Sequence, residues 1–145
     1  MRGRTAKSRF VVRSHAKGRA LSAGEAVAHV RAGLPVGELD TLRELLGVTV
    51  EALAGKVGIS IATLSRRRQR SERLDVGQSD RVLRYAELFR QAVALHDGDE
   101  EAARAWLKSP ARALGGETPL EHAETEVGAR EVENLIGRLE HGVYT

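Results

Sequence analysis

The chain has 145 residues, 30% of them charged, with a net charge of +3 and no cysteine. Without thiolates, disulfide frameworks, Cys-ligated zinc, iron–sulfur centres and Cys nucleophiles are excluded, and a reducing cytoplasm suits the composition. No apolar run approaches the roughly 18 to 20 residues a membrane-spanning helix needs, so no membrane association is expected.

Charge is divided unevenly along the chain. Residues 1–20 hold seven basic side chains (Arg2, Arg4, Lys7, Arg9, Arg13, Lys17 and Arg19) and no acid, whereas residues 99–145 hold ten acidic and five basic ones. The front is suited to a polyanion and the back to something else. Residues 1–20 are read as a basic arm; "RFVVR" at residues 9–13 is the one strand-like fragment in the sequence.

Helices follow in series. Ser22 with Glu25 forms a capping box opening a short helix in which Val27 and Val30 make a small apolar face, before Gly33 and Pro35 stop it. Leu39, Leu42, Leu45 and Leu46 recur at helical spacing, and Gly47 stands just past their end. Thr49 caps the next helix, which Gly58 interrupts, and Ser60 caps another. Asp75 with Gln78 opens the longest helix, lined by Val82, Leu83, Ala86, Phe89, Ala92 and Val93 and running to Gly98. Asp99 caps a helix carrying Ala102, Ala103, Trp106 and Leu107, with Trp106 expected in the core. Ser109-Pro110 and Thr118-Pro119 each pair a capping residue with a proline at the first helical position. Ala129, Val132, Leu135, Ile136 and Leu139 line a last helix stopped at Gly142. The fold class predicted is all-α.

The stretch "TVEALAGKVGISIATLSRRRQR", residues 49–70, reads as helix, tight turn, helix. Ala54 and Gly58 permit the close approach, and Ile59, Ile61 and Leu64 are expected to bury between the helices. At about 100° per residue, Thr63, Arg66, Arg67 and Arg70 share one stripe of the second helix, opposite Ile61, Leu64 and Ser65. That stripe suits double-stranded DNA, because Arg pairs bidentately with guanine and Thr meets a thymine methyl in the major groove. Lys56, Ser60, Arg73 and the basic arm are then expected on phosphates. Arg68 points toward the buried side and is expected to pair or snorkel. A bare charge run is usually a solvated face; the preceding Ala, Gly and Ile placements favour the DNA reading.

The segments "LAGKVGISIATLSRRR", "RLDVGQSDRVLRYAEL" and "AWLKSPARALGGETPLEHAETEVGAREVENLIGRLEHGVYT" resemble, in that order, the Xre/ParS/MbcA antitoxins of bacterial RES-type toxin–antitoxin pairs. The likeness runs from about residue 34 to the end. Trp106, Leu107 and Pro110, then Leu114, Gly115 and Gly116, then Thr118, Pro119 and Leu120, and last Gly142 with Val143 follow the family's order. The resemblance implies a helix-turn-helix module followed by a helical toxin-binding domain, and a RES-domain partner that degrades NAD or uses it for ADP-ribosylation. It also implies repression of the operon through a palindromic operator, with a homodimer inside a larger toxin–antitoxin complex. In the family the C-terminal segment reaches into the toxin's NAD site; by position Gly142, Val143, Tyr144 and Thr145 are the plug. Arg138, Glu140 and His141, on the turn before it, are expected to contact the toxin directly. Leu114, Gly115, Gly116, Pro119 and Leu120 are read as scaffold. Residues 1–20 match nothing in the family, so their role rests on charge alone.

The expected organisation is therefore a basic arm over 1–20, a helix-turn-helix domain with its long connecting helix over 21–98, and a toxin-binding domain over 99–145. The location implied is the bacterial cytoplasm, on the nucleoid when the operator is bound. His15, His29, His96, His122 and His141 are too far apart in sequence for an H-x-x-x-H metal pair. G-x-S-x-G and G-x-G-x-x-G are missing, and "GK" at 55–56 has neither the glycine spacing nor the Ser/Thr of a phosphate loop. No catalytic residue, metal or cofactor is expected. The alternative reading is a stand-alone helix-turn-helix repressor whose C-terminal domain serves only to oligomerise.

Overall fold

The computed structural model describes residues 10–142. Among these the regular structure is helical, apart from one isolated antiparallel bridge between Pro35 and Arg73. The chain forms two compact units divided between Ala86 and Glu87.

The first unit contains α1 (Val11–Lys17), α2 (Ala23–Ala32), α3 (Gly37–Leu46), α4 (Val50–Val57), α5 (Ile61–Arg70) and the start of α6 (Val76–Leu95). Its core is largely leucine: Leu34, Leu39, Leu42, Leu46 and Leu53 are fully or almost fully buried, with Val57, Val82 and Tyr85. Local capping sets most helix starts. The Ser22–Glu25 box is closed in both directions, the Thr49 and Ser60 hydroxyls accept from the backbone N–H three residues on, and Asp75 and Gln78 exchange bonds reciprocally.

Three expectations change here. Residues 11–17 are neither strand nor free arm: they form α1, whose Val11, Val12, His15 and Ala16 are buried. Phe10 supplies no side-chain cap; the fully buried Glu38 of α3 does so instead, its two oxygens accepting from the Val11 and Val12 N–H groups at 3.0 and 3.1 Å. Such a cap lies 26 and 27 residues away in sequence, beyond any local pattern. Helix α2 buries no residue, and Val27 is 48% exposed, so its valines make no core face; it is held at its ends by the capping box, the Arg19–Glu25 pair and Gly33. Ile61, expected between the helices, is 45% exposed, because the turn before it buries Ile59 and rotates Ile61 outward.

The second unit holds the remainder of α6, α7 (Glu100–Leu107), a 3-10 turn (Arg112–Leu114), α8 (Pro119–His122) and α9 (Glu126–Glu140). Leu88, Phe89, Ala92, Leu107, Val132 and Ile136 are its buried centre. Asp99 caps α7 and Thr118 with Glu121 boxes α8. Ser109 does not start a helix: its hydroxyl donates to the Ala105 carbonyl at 2.7 Å, closing the end of α7, and Ala111 leads into the 3-10 turn. Trp106 is half-buried rather than core, its ring 6.3 Å from that of His96. The division between units falls inside α6.

Candidate nucleic-acid interface and partner surface

Helices α4 and α5 are joined by a turn at Gly58, Ile59 and Ser60. Gly58 has φ +84, and its N–H and that of Ile59 both donate to the Ala54 carbonyl, at 2.9 and 3.0 Å. That left-handed turn is one glycine adopts without steric cost. Leu53, Ala54, Val57, Ile59 and Leu64 bury around it. The Arg81 guanidinium donates to the Val57 carbonyl at 3.0 Å, placing a cation at the negative end of α4.

Gln78, almost fully buried, joins the parts of this module. Its Oε1 accepts from the Arg67 guanidinium at 2.7 Å and from the Asp75 N–H at 3.0 Å, while its Nε2 donates to the Gly58 carbonyl at 3.2 Å. The sequence marks Gln78 only as half of a capping box; nothing in its spacing identifies the other two bonds. Ser79, fully buried beside it, accepts from the Leu34 N–H at 2.8 Å.

These bonds separate the basic residues expected on DNA. Arg67 is half-buried and also donates to the Arg73 carbonyl at 3.3 Å, so it braces the module and does not share an open stripe with Arg66 and Arg70. Arg73 donates to the Gly33 carbonyl at 2.7 Å and is likewise a brace. Arg68, expected to lean toward the buried side, is exposed and pairs with Asp40 at 2.6 Å. Arg70 is exposed, 3.9 Å from Glu72. Arg66 is exposed and its side chain bonds to none of the described residues. Ser60 is exposed, and its hydroxyl, besides capping α5, donates to the half-buried Thr63 hydroxyl at 2.9 Å. Lys56 is half-buried near the end of α4.

In the second unit, Gly128 brings α9 against α8: a Cβ there would stand 1.7 Å from the His122 carbonyl oxygen. Thr125 caps α9 through the Gly128 N–H at 3.0 Å, a cap the sequence reading passes over. His122 sits between two carboxylates, its Nδ1 and Nε2 each 2.7 Å from Glu117 and Glu131 respectively. Those two hydrogen bonds hold the imidazole above its usual range.

At the end of α9, Arg138 is half-buried and its Nε–H is buried with no acceptor among the described residues. Glu140 and His141 are exposed, and the His141 Nδ1 lies 2.7 Å from the Gly137 carbonyl. Gly142 leaves the helix at φ +71. Val143, Tyr144 and Thr145 lie outside the described residues, as do Arg2, Arg4, Lys7 and Arg9.

Comparison with known proteins assigns both units. Residues 25–87 match the antitoxin Xre-like helix-turn-helix domain, and residues 91–142 match the antitoxin Xre/MbcA/ParS C-terminal toxin-binding domain. The chain is 34% identical to the antitoxin Xre of Yersinia enterocolitica over 82% of this chain and 80% of that protein. It is 37% identical to the antitoxin Xre of Photorhabdus laumondii over 77% of this chain and 75% of that one. A more distant relative, 24% identical over 79% of this chain and 77% of its own length, is the Prs ADP-ribosylating antitoxin of Sphingobium. With a helix-turn-helix unit followed by a toxin-binding unit, the chain belongs to the Xre family of antitoxins, which are non-enzymatic regulators.

Proposed function

We propose that this antitoxin neutralises a RES-type, NAD-consuming toxin through its C-terminal segment and, as a homodimer, represses its own operon at a palindromic operator. The observation that carries the reading is the tandem match of the two domains in one chain. The name of the Sphingobium relative supports ADP-ribosyl chemistry in the partner. Arg138 supports the location of the toxin surface, because a buried guanidinium N–H without an acceptor is costly and is relieved when a partner brings an oxygen. Glu140, His141 and Gly142 extend that surface, and Val143, Tyr144 and Thr145 form the inhibitory segment. A phenol and a small apolar side chain next to a glycine suit a site shaped for a nucleotide's polar and aromatic parts.

The test is NAD loss catalysed by the product of the adjacent gene, with this protein added full-length or ending at Gly142, both verified as folded. Protection by the full-length chain alone is the expected result. If both protect, the helical body inhibits and the segment does not. If neither protects, or the neighbour leaves NAD untouched, the chain is better described as a repressor whose second unit only oligomerises.

A further inference from the structure

Helix α5 has two rows at opposite azimuths, each with the three-and-four spacing of a helix face. The inward row is Thr63, Leu64 and Arg67: half-buried, buried and half-buried. The outward row is Ala62, Ser65, Arg66 and Gln69, all exposed. Ser65, Arg66 and Gln69 make no side-chain bond with any described residue, whereas Arg67, Arg68 and Arg73 are each committed within the unit.

We infer that the outward row is the base-reading face: Arg66 and Gln69 take a guanine and an adenine edge of duplex DNA, Ala62 and the neighbouring Ile61 meet thymine methyls, and Arg67 is a positioning residue that touches no base. This rests on the DNA-binding reading and moves its specificity away from Thr63 and Arg67. Reading a base edge requires donors and acceptors not already committed, and the outward row is the one on α5 with three such polar side chains in succession. Bidentate pairing of Arg with guanine and of Gln with adenine needs a planar fork free to align, which Arg67, tied to Gln78 and to the Arg73 carbonyl, does not have. From Ala62 to Gln69 the helix rises about 10 Å, the span of about three base pairs, which matches a helix lying along the major groove over most of its length.

The experiment is selection from randomised duplex DNA by the full chain, repeated with Arg66→Ala, Gln69→Ala, Gln69→Glu and Arg67→Ala, with the melting temperature of each protein recorded. The wild type is expected to enrich a two-fold site. Arg66→Ala and Gln69→Ala should each lose preference at one position per half-site and weaken the selected site by about 5- to 100-fold, with melting unchanged. Gln69→Glu should exchange adenine for cytosine at its position, which a merely structural residue would not do. Arg67→Ala should lower the melting temperature and weaken all duplexes alike, keeping the wild-type sequence profile. Unchanged profiles for both Gln69 variants, or loss of a single base preference in a normally stable Arg67→Ala, overturn the assignment while leaving DNA binding in place. A wild type that enriches no sequence and whose retention is insensitive to salt overturns the DNA reading itself, and the assignment with it.

Discussion

Glu38 illustrates how a single acidic side chain in the core determines local structure far from it. Its carboxylate is the N-terminal cap of α1, and Glu38→Ala leaves the Val11 and Val12 N–H groups without that acceptor inside the unit. The expected cost is about 2–4 kcal/mol in urea unfolding, with loss of helical signal from α1. A loss below about 0.5 kcal/mol would mean those groups find water at little cost. His122 gives a pH dependence whose sign follows from its partners. Its folded-state pKa is raised because the imidazolium donates hydrogen bonds to Glu117 and then Glu131, so the stabilisation is complete below the unfolded value of about 6.5 and disappears as pH rises through the raised folded value. The gap in urea midpoint between wild type and His122→Gln should therefore narrow from pH 6 toward pH 9. A gap constant across that range would mean the ring acts by packing alone.

Between elements, the closest constraint is at Gly128. An added methyl would collide with a backbone carbonyl, which cannot swing aside as a side-chain end can, so Gly128→Ala must separate α8 from α9. Thermal unfolding should report a loss of about 3 kcal/mol or more. Gly137, on the same helix with open space where its Cβ would go, provides the control: its replacement by alanine should stabilise by about 0.5–1 kcal/mol. The front of the chain also divides by element. Removing residues 1–9 takes away Arg2, Arg4, Lys7 and Arg9 without touching α1. DNA binding should weaken on all sequences alike and the salt slope should flatten by up to about 0.9 per lost phosphate contact. Removing residues 1–20 should also destabilise the first unit, because Val11, Val12 and Ala16 leave its core. Gel shifts across a salt series, paired with unfolding curves, separate the two effects.

For the molecule as a whole, the two-unit organisation predicts separable losses. Ending the chain at Gly142 should release the toxin and leave operator affinity within a factor of two; Arg66→Ala should weaken operator binding by about 1–3 kcal/mol and leave toxin inhibition intact. Parallel NAD-consumption and gel-shift measurements on both variants check this, and loss of both activities in either variant would show that the sites are coupled. The charge division fits such an arrangement, with basic side chains concentrated ahead of residue 99 and acidic ones after it.

The sequence by itself determined the features whose causes are local or periodic. The all-α class, the capping pairs at Ser22, Thr49, Ser60, Asp75, Asp99 and Thr118, and the helix-turn-helix spacing around Gly58 all depend on residues within a few positions of one another. Tertiary structure decided whatever depends on a distant acceptor or on the azimuth of a helix. Residues 11–13, the end of the strand-like "RFVVR", instead open a helix that Glu38 caps. Periodicity sets Arg67 beside Arg66 on one stripe, but Gln78 and the Arg73 carbonyl tie its guanidinium inside the unit. Periodicity states which residues share a face, but not which face turns inward. That choice was made by Ile59, Leu64 and Gln78 packing around the turn, and it placed Ala62, Ser65, Arg66 and Gln69 on the outside.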